Sequence, residues 1–543
     1  MKNFIYPIFN FIFCSALCFG SHQIILYDWS GQFGYVKDKG LIFWGKDWRS
    51  KNLLFDGAWA IFPQMYGDNI MQGFLADPQD NQTIDSLNIL SYLNYDQGDY
   101  GLDRFSFGLE NFSKNKNFKI EAFKRSFLGN HNQYYYSTYQ PLQQSYIISY
   151  ETNDSLDHSG LSIGHFNTYS GFPDKQKITN GLYDNKITSL NYFWKKKIGQ
   201  IFYEFSLDQF LQRYKAIHTL SIYEGSRFLN RSQYKIAGTY LNDGNLVSFG
   251  INTNNRNIIF DTKFNSVWHE IISKIDRSPF YIFLSIIKNK KDYFFNYNIS
   301  FTKKLNSIKL QLSNLSQYTP THPYYFFKDS SKVTPEFFQK SRNNALLKWD
   351  GIKNDISVEV SFTKDKQNFL GSHIQDSLLM KNQYLNMELS YERILISNFH
   401  LLLKYNINQT NNYYSGGIGK KISVEFNSYF SLFDKYMKIE LRTQFNHLFD
   451  RVNHSLINPI EMVPIIYQSN DFTELDNPMP ITLINGSINA KVSSFTIGFK
   501  WINITEIILS SLGSDRDNHL TFHPEMPEMG RQINLLLSWS FQD

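Results

Sequence analysis

Few side chains in this chain are spaced for bond chemistry. It holds no Gly-x-Ser-x-Gly elbow, no His-Glu-x-x-His, no phosphate-cradling glycine loop and no outstanding pair of carboxylates. His400 and Ser423 come nearest to a base and a nucleophile, but a lone His on a polar face is more often a lining group. No catalytic residue is expected, and the chain is not read as an enzyme. His131, His158 and His165 are close in sequence yet fall toward opposite ends of their segments, so neither a metal site nor a cofactor is expected.

Two other sets suit binding. The first is aromatic: Tyr134, Tyr135 and Tyr136, then Tyr324, Tyr325 and Phe326, then Tyr413 and Tyr414, all in or beside long polar connections. Such rings form a girdle at a membrane interface, or they stack on a sugar or peptide ligand. The second set is polar and of both signs: Lys309, Gln311, Glu359, Lys404, Glu425, Asn427, Lys438, Glu440, Arg442 and Gln444. Each alternates with apolar neighbours.

That alternation identifies the elements. Over 422–445, Ile422, Val424, Phe426 and Phe430 share one face, opposite Ser423, Glu425 and Asn427. After a turn at 432–435, Met437, Ile439, Leu441 and Phe445 oppose Lys438, Glu440, Arg442 and Gln444. Phe295 to Phe301, Ile356 to Phe362 and Phe399 to Ile407 repeat the period of two. Asp243-Gly244 supplies a tight hairpin between 234–240 and 246–251. The final segment puts Ile533, Leu535, Leu537, Trp539 and Phe541 on one face, with Asn534, Ser538 and Ser540 on the other. A sheet with one oily and one wet face along its whole length closes on itself in lipid, because closure alone satisfies every backbone N–H and C=O. The expected fold is all-β: a transmembrane antiparallel up-and-down β-barrel of about 22–24 strands. Its wet face is a lumen lined by the mixed-sign set, which implies either a hydrated passage or residues that pair and block it.

Composition agrees. Aromatics reach 17 %, with 35 Tyr and 48 Phe, while mean hydropathy is −0.37. That excludes a bundle of apolar membrane helices. The one apolar run, 4–19, follows Met1-Lys-Asn3 and precedes Gly20, the layout of a cleaved secretory signal over 1–20. Cys14 and Cys18 lie inside it, so no disulfide framework is expected beyond. The net charge of +5 is spread along the chain, and no nucleic-acid partner is read from it.

Long and short connections alternate from both ends. Going backward, 503–530, 446–480 and 408–419 are long, while 491–494 and 431–436 are short. Going forward, 128–140 and 169–186 are long, while 153–158 and 195–198 are short. Short periplasmic turns and long extracellular loops are the habit of membrane barrels. The segments 213–223 and 256–275 carry weak patterns and leave the strand count open. Residues 21–82 lack a clean period and form either opening strands or a short luminal piece. The barrel is expected over 83–541.

The stretch from Asn503-Ile-Thr-Glu506 through His523-Pro-Glu-Met-Pro-Glu-Met-Gly-Arg531 into 533–541, with Phe495–Trp501 before it, resembles the C-terminal end of TonB-dependent receptors. The resemblance covers the last 50 or so residues and implies a 22-stranded receptor-type barrel in the outer membrane. It departs from the family in offering no recognisable plug domain, energy-coupling box or Arg-Gly-rich plug ending, so an energy-coupling partner is not implied. Expected partners are outer-membrane lipid and lipopolysaccharide, the barrel-assembly machinery through Trp539 and Phe541, and a small polar solute. The function expected is passage of that solute; the alternative is a structural or adhesive barrel.

Overall fold

The computed structural model describes the strands and tight turns between residues 88 and 542. Residues 1–87, the segments 129–141, 172–181, 218–224, 260–262, 321–336, 369–378, 411–419, 451–455, 458–463, 466–479 and 509–530, and a few single positions lie outside the description. The signal expected over 1–20 and the segment 21–82 therefore fall outside the described residues.

The wall opens with β1 (Asn88–Gly98), β2 (Leu102–Ser113), β3 (Lys116–Ser126), β4 (Leu142–Asn153), β5 (Asp157–Gly171), β6 (Leu182–Ile198) and β7 (Ile201–Ile217). It continues with β8 (Gly225–Asn242), β9 (Asn245–Ile259), β10 (Lys263–Arg277), β11 (Phe280–Asn289), β12 (Asp292–Leu305), β13 (Ile308–Pro320) and β14 (Phe337–Asp350). Then come β15 (Asn354–Asn368), β16 (Leu379–Ile396), β17 (Phe399–Thr410), β18 (Lys420–Leu432) and β19 (Met437–Phe449). A small ribbon of β20 (Leu456–Ile457) and β21 (Pro464–Ile465) precedes β22 (Ile481–Val492), β23 (Phe495–Ile502) and β24 (Gln532–Gln542).

Apart from the ribbon, these strands form one 22-stranded sheet. Each pairs antiparallel with its sequence neighbour, and β19 pairs with β22 across the ribbon. β24 returns to β1 along Leu90↔Gln542 to Gly98↔Asn534, so the sheet has no edge. The segments with weak patterns are ordinary wall: 213–217 completes β7, and 256–275 lies mostly in β9 and β10. That fixes the count at 22. Tracing ladder partners round the wall returns to β1 displaced by about 24 residues, which sets a strand tilt of roughly 37° and a width of roughly 40 Å.

The alternation expected from both ends holds at the connections it named, but 99–101 and 290–291 are short connections at the long-loop end. Two-residue turns close one end at 199–200, 278–279, 306–307 and 493–494, and the long connections lie at the other. Gly199 and Asn306 supply the positive φ (62° and 51°) that such turns need. β12 runs past the alternating stretch 295–301 to Leu305, so its turn falls at 306–307.

The outer face is apolar and exposed. On β9, Val247, Phe249 and Ile251 face out, while Ser248, Asn252 and Asn254 face the lumen. Trp539 and Phe541 are likewise exposed, with ring centroids 4.4 Å apart. A contiguous apolar belt of this extent is stable only against hydrocarbon, which makes this an outer-membrane barrel. About 9–11 tilted residues cross a bilayer, whereas β6, β7 and β8 have 17, 17 and 18. Over β5–β10 the outer face turns polar above the belt. There His165 pairs with Thr188 (2.9 Å), Ser232 donates to Gln209 (2.7 Å) and Thr253 pairs with His269 (3.1 Å).

The two faces of β9 give a direct check. Phe249→Arg puts a charge against the middle of the lipid and is expected to cost about 2–4 kcal/mol. Its neighbour Ser248→Arg points into the lumen and should cost far less. Chemical unfolding of the barrel refolded into lipid vesicles measures both; equal losses would contradict the assigned faces.

Candidate functional site: the lumen wall

The ten polar residues expected on the wet face do lie opposite the apolar exterior, but they do not form one group. Lys309 and Gln311 on β13 and Glu359 on β15 occupy one arc. Lys404 on β17, Glu425 and Asn427 on β18, and Lys438, Glu440, Arg442 and Gln444 on β19 occupy the next. Antiparallel register then decides which of them meet.

Asn427 stands opposite Arg442, and Glu425 opposite Gln444. These four side chains are buried. Glu425 Oε1 receives Arg442 Nη2 at 2.8 Å and Asn427 Nδ2 at 2.9 Å. One carboxylate thus answers a guanidinium and an amide on the lumen face. Nearer the periplasmic turn, the Tyr429 hydroxyl donates to Glu440 Oε1 at 3.4 Å, and Lys438 is exposed. Glu359 stands directly across from Glu388, a like-charge pairing; Glu388 accepts Asn406 Nδ2 at 3.0 Å.

The same local pairing recurs around the barrel. Arg104 Nη1 lies 3.2 Å from Asp96 Oδ2 between β1 and β2, and Lys235 Nζ lies 2.9 Å from Glu204 Oε1 between β7 and β8. In these described pairs the opposite charges meet between adjacent strands, along the wall. A 22-stranded wall encloses more width than its own side chains fill.

His400 and Ser423 do not meet: Lys404, four residues beyond His400 on β17, is the residue opposite Ser423, whose hydroxyl donates to Asn446 Oδ1 at 2.8 Å. His158 faces the lumen beside Glu151 (3.5 Å) and edge-on to Phe193, while His165 faces outward. Among the described residues no group of three metal-ligating side chains occurs. His131 and the loop aromatics Tyr134, Tyr135, Tyr136, Tyr324, Tyr325, Phe326, Tyr413 and Tyr414 lie outside the described residues.

One feature of the lumen departs from the expected polar lining. Near the extracellular end of β10–β14, Trp268, Ile287 and Phe337 form a buried cluster joined by Phe294 and Tyr318. The fully buried Arg256 guanidinium lies 5.6 Å from the Trp268 ring and 5.7 Å from that of Phe264. The sequence signal is faint: Asp292-Tyr-Phe-Phe295 places aromatics on both faces of one strand.

No protein-family model matches the chain, and no curated protein does. Solved structures do match. The FrpB iron transporter of Neisseria meningitidis (F3-3 variant) aligns over 84 % of this chain and 82 % of its own, at 9 % identity and a TM-score of 0.63. The siderophore receptor PirA of Pseudomonas aeruginosa aligns over 85 % and 81 %, at 6 % identity and 0.60. The ferric yersiniabactin uptake receptor FyuA of Yersinia pestis aligns over 85 % and 81 %, at 10 % identity and 0.59. At these identities the likeness is one of fold. The resemblance of the C-terminal end to TonB-dependent receptors thus extends to the whole 22-stranded barrel.

Removing one partner of the buried pair should expose its cost. Arg442→Met strands Glu425 and is expected to lose about 3–5 kcal/mol, whereas the double change Arg442→Met with Glu425→Leu recovers most of it. Unfolding of the refolded barrels measures this; a double variant as unstable as the single one would mean the pair is not closed on itself.

Proposed function

We propose that this barrel carries a polar solute through its lumen across the outer membrane. The observation that supports this most directly is the lumen wall: amides, hydroxyls and ion pairs line the inside of a cylinder whose backbone is roughly 40 Å across. With charges neutralised locally, such a bore has no strong preference for either sign of ion. The solved structures that share the fold carry names of iron, siderophore and ferric yersiniabactin uptake, which favours transport as the use of this architecture. Their cargoes do not transfer at 6–10 % identity. The residues favour a small, uncharged or zwitterionic solute that hydrogen-bonds to amides.

One observation supports the rival reading of a structural or adhesive barrel. Arg442, Glu425, Arg104 and Asn446 are almost wholly buried although they face the lumen, as befits a bore that is filled. Outside, Lys288 over Tyr293, Lys364 over Phe362 and Lys420 over Phe449 sit at the extracellular edge of the apolar belt. They are suited to the phosphates of outer-leaflet glycolipid. The exposed Trp539 and Phe541 at the chain end are suited to the assembly machinery.

In a planar bilayer the purified full chain is expected to give stable conductance steps that are nearly equal for small cations and anions. Silent membranes from folded, heat-modifiable protein would favour the blocked, adhesive barrel.

A further inference from the structure

Resting on the reading of the lumen as a solute path, we propose that the extracellular end of the β13–β14 hairpin is a built-in constriction. It is folded into the bore and seated on the inner wall of β9–β12, where it sets the size of solute admitted.

The ladder itself shows the departure. β12 and β13 pair from Leu305↔Ile308 to Tyr297↔Ser316 and then stop. β12 nevertheless continues to Asp292 in register with β11, and β13 continues to Pro320 in register with β14. The hairpin therefore leaves the wall as a paired unit just above Ser316. Its neighbours leave room: β10 pairs with β11 only up to Trp268↔Asn289, whereas with β9 it runs on to Lys263↔Ile259. The tight 290–291 turn thus makes a notch in the rim.

Side chains show where the hairpin goes. Phe337 of β14 packs edge-on to Trp268 of β10, with ring centroids 5.5 Å apart and an interplanar angle of 88°. Three strands stand between β10 and β14, so along the wall the two are separated by roughly 19 Å, more than the two side chains span. The contact requires β14 to lean inward. Phe337 also lies 5.0 Å from Phe294, and Phe294 lies 4.9 Å from Tyr318. The buried face of Trp268 and Ile287 is thus covered by the hairpin.

A polar chain fixes the departure point. The Tyr318 amide N–H, its ladder partner gone, donates to Asn296 Oδ1 at 2.7 Å. Asn296 Nδ2 donates to Ser285 Oγ at 3.1 Å, and Ser285 Oγ donates to Glu270 Oε1 at 2.5 Å. Asn252 Nδ2 reaches the other oxygen of Glu270 at 3.5 Å. Four strands of wall thereby hold one backbone amide of the fifth. Because a buried amide left unpaired is costly, Asn296 selects the inward arrangement over a slack end.

The test reads position and passage separately. Cys14 and Cys18 are the chain's only cysteines, so with both replaced by Ser, Ile287→Cys reports on the seat. In the full chain folded in lipid vesicles, a small maleimide is expected to label Ile287→Cys at least tenfold more slowly than the lumen-facing control Lys309→Cys. Adding Phe337→Ala or Asn296→Ala should abolish that protection; Phe337→Leu should keep it. In liposome swelling with sugars of increasing size, the same two Ala variants should admit larger sugars than the parent. Labelling of Ile287→Cys as fast as the control, or an unchanged size limit in a parent that does swell, overturns the constriction. A parent that admits no sugar at all overturns the solute-path reading, and labelling still decides where the hairpin lies.

Discussion

Everything in this molecule follows from the cost of an unpaired backbone amide in hydrocarbon. A strand in lipid presents N–H and C=O groups that no water can reach, so each must find a partner in the next strand, and the last strand must find the first. Ladder pairing of β24 with β1 meets that condition, and once the cylinder is closed the side chains have only two places to go. Phe249 and Ile251 go to the lipid, Asn252 and Asn254 to the bore. A shift of one residue in any strand would exchange the two sets.

Closure also disciplines the charges. A Glu or Arg on the lumen face has its nearest opposite charge on the adjoining strand, because that strand is about 4.8 Å away and the far wall roughly 40 Å. Glu425 with Arg442, Asp96 with Arg104 and Glu204 with Lys235 are the outcome. Buried pairs of this kind contribute little net stability, yet separating one is expensive, so they fix register more than they strengthen the fold.

The same amide rule explains where the β13–β14 hairpin leaves the wall. Above Ser316, β13 gives up its ladder with β12, and the freed Tyr318 amide is taken by the Asn296 side chain. Aromatic surface that would otherwise face a watery bore is covered in exchange, as Trp268, Phe294 and Phe337 come together. An apolar island inside a polar lumen therefore marks where wall folds onto wall.

The alternation of faces, the parity of long and short connections and the closing aromatic strand were legible in the residues alone, because a period of two is a local property that each strand carries whether or not its partner is known. The mixed-sign face was legible for the same reason. The count of 22 was not: 213–217, 256–259 and 263–275 are strands because their neighbours pair with them, not because their own pattern demands it. Nor was the pairing of Glu425 with Arg442, which depends on ladder register between β18 and β19. Least visible of all was the meeting of Trp268 with Phe337, 69 positions apart in the chain. Only the end of one ladder and the inward lean of a hairpin bring those rings together, and both are decided by neighbouring strands, beyond the reach of any local period.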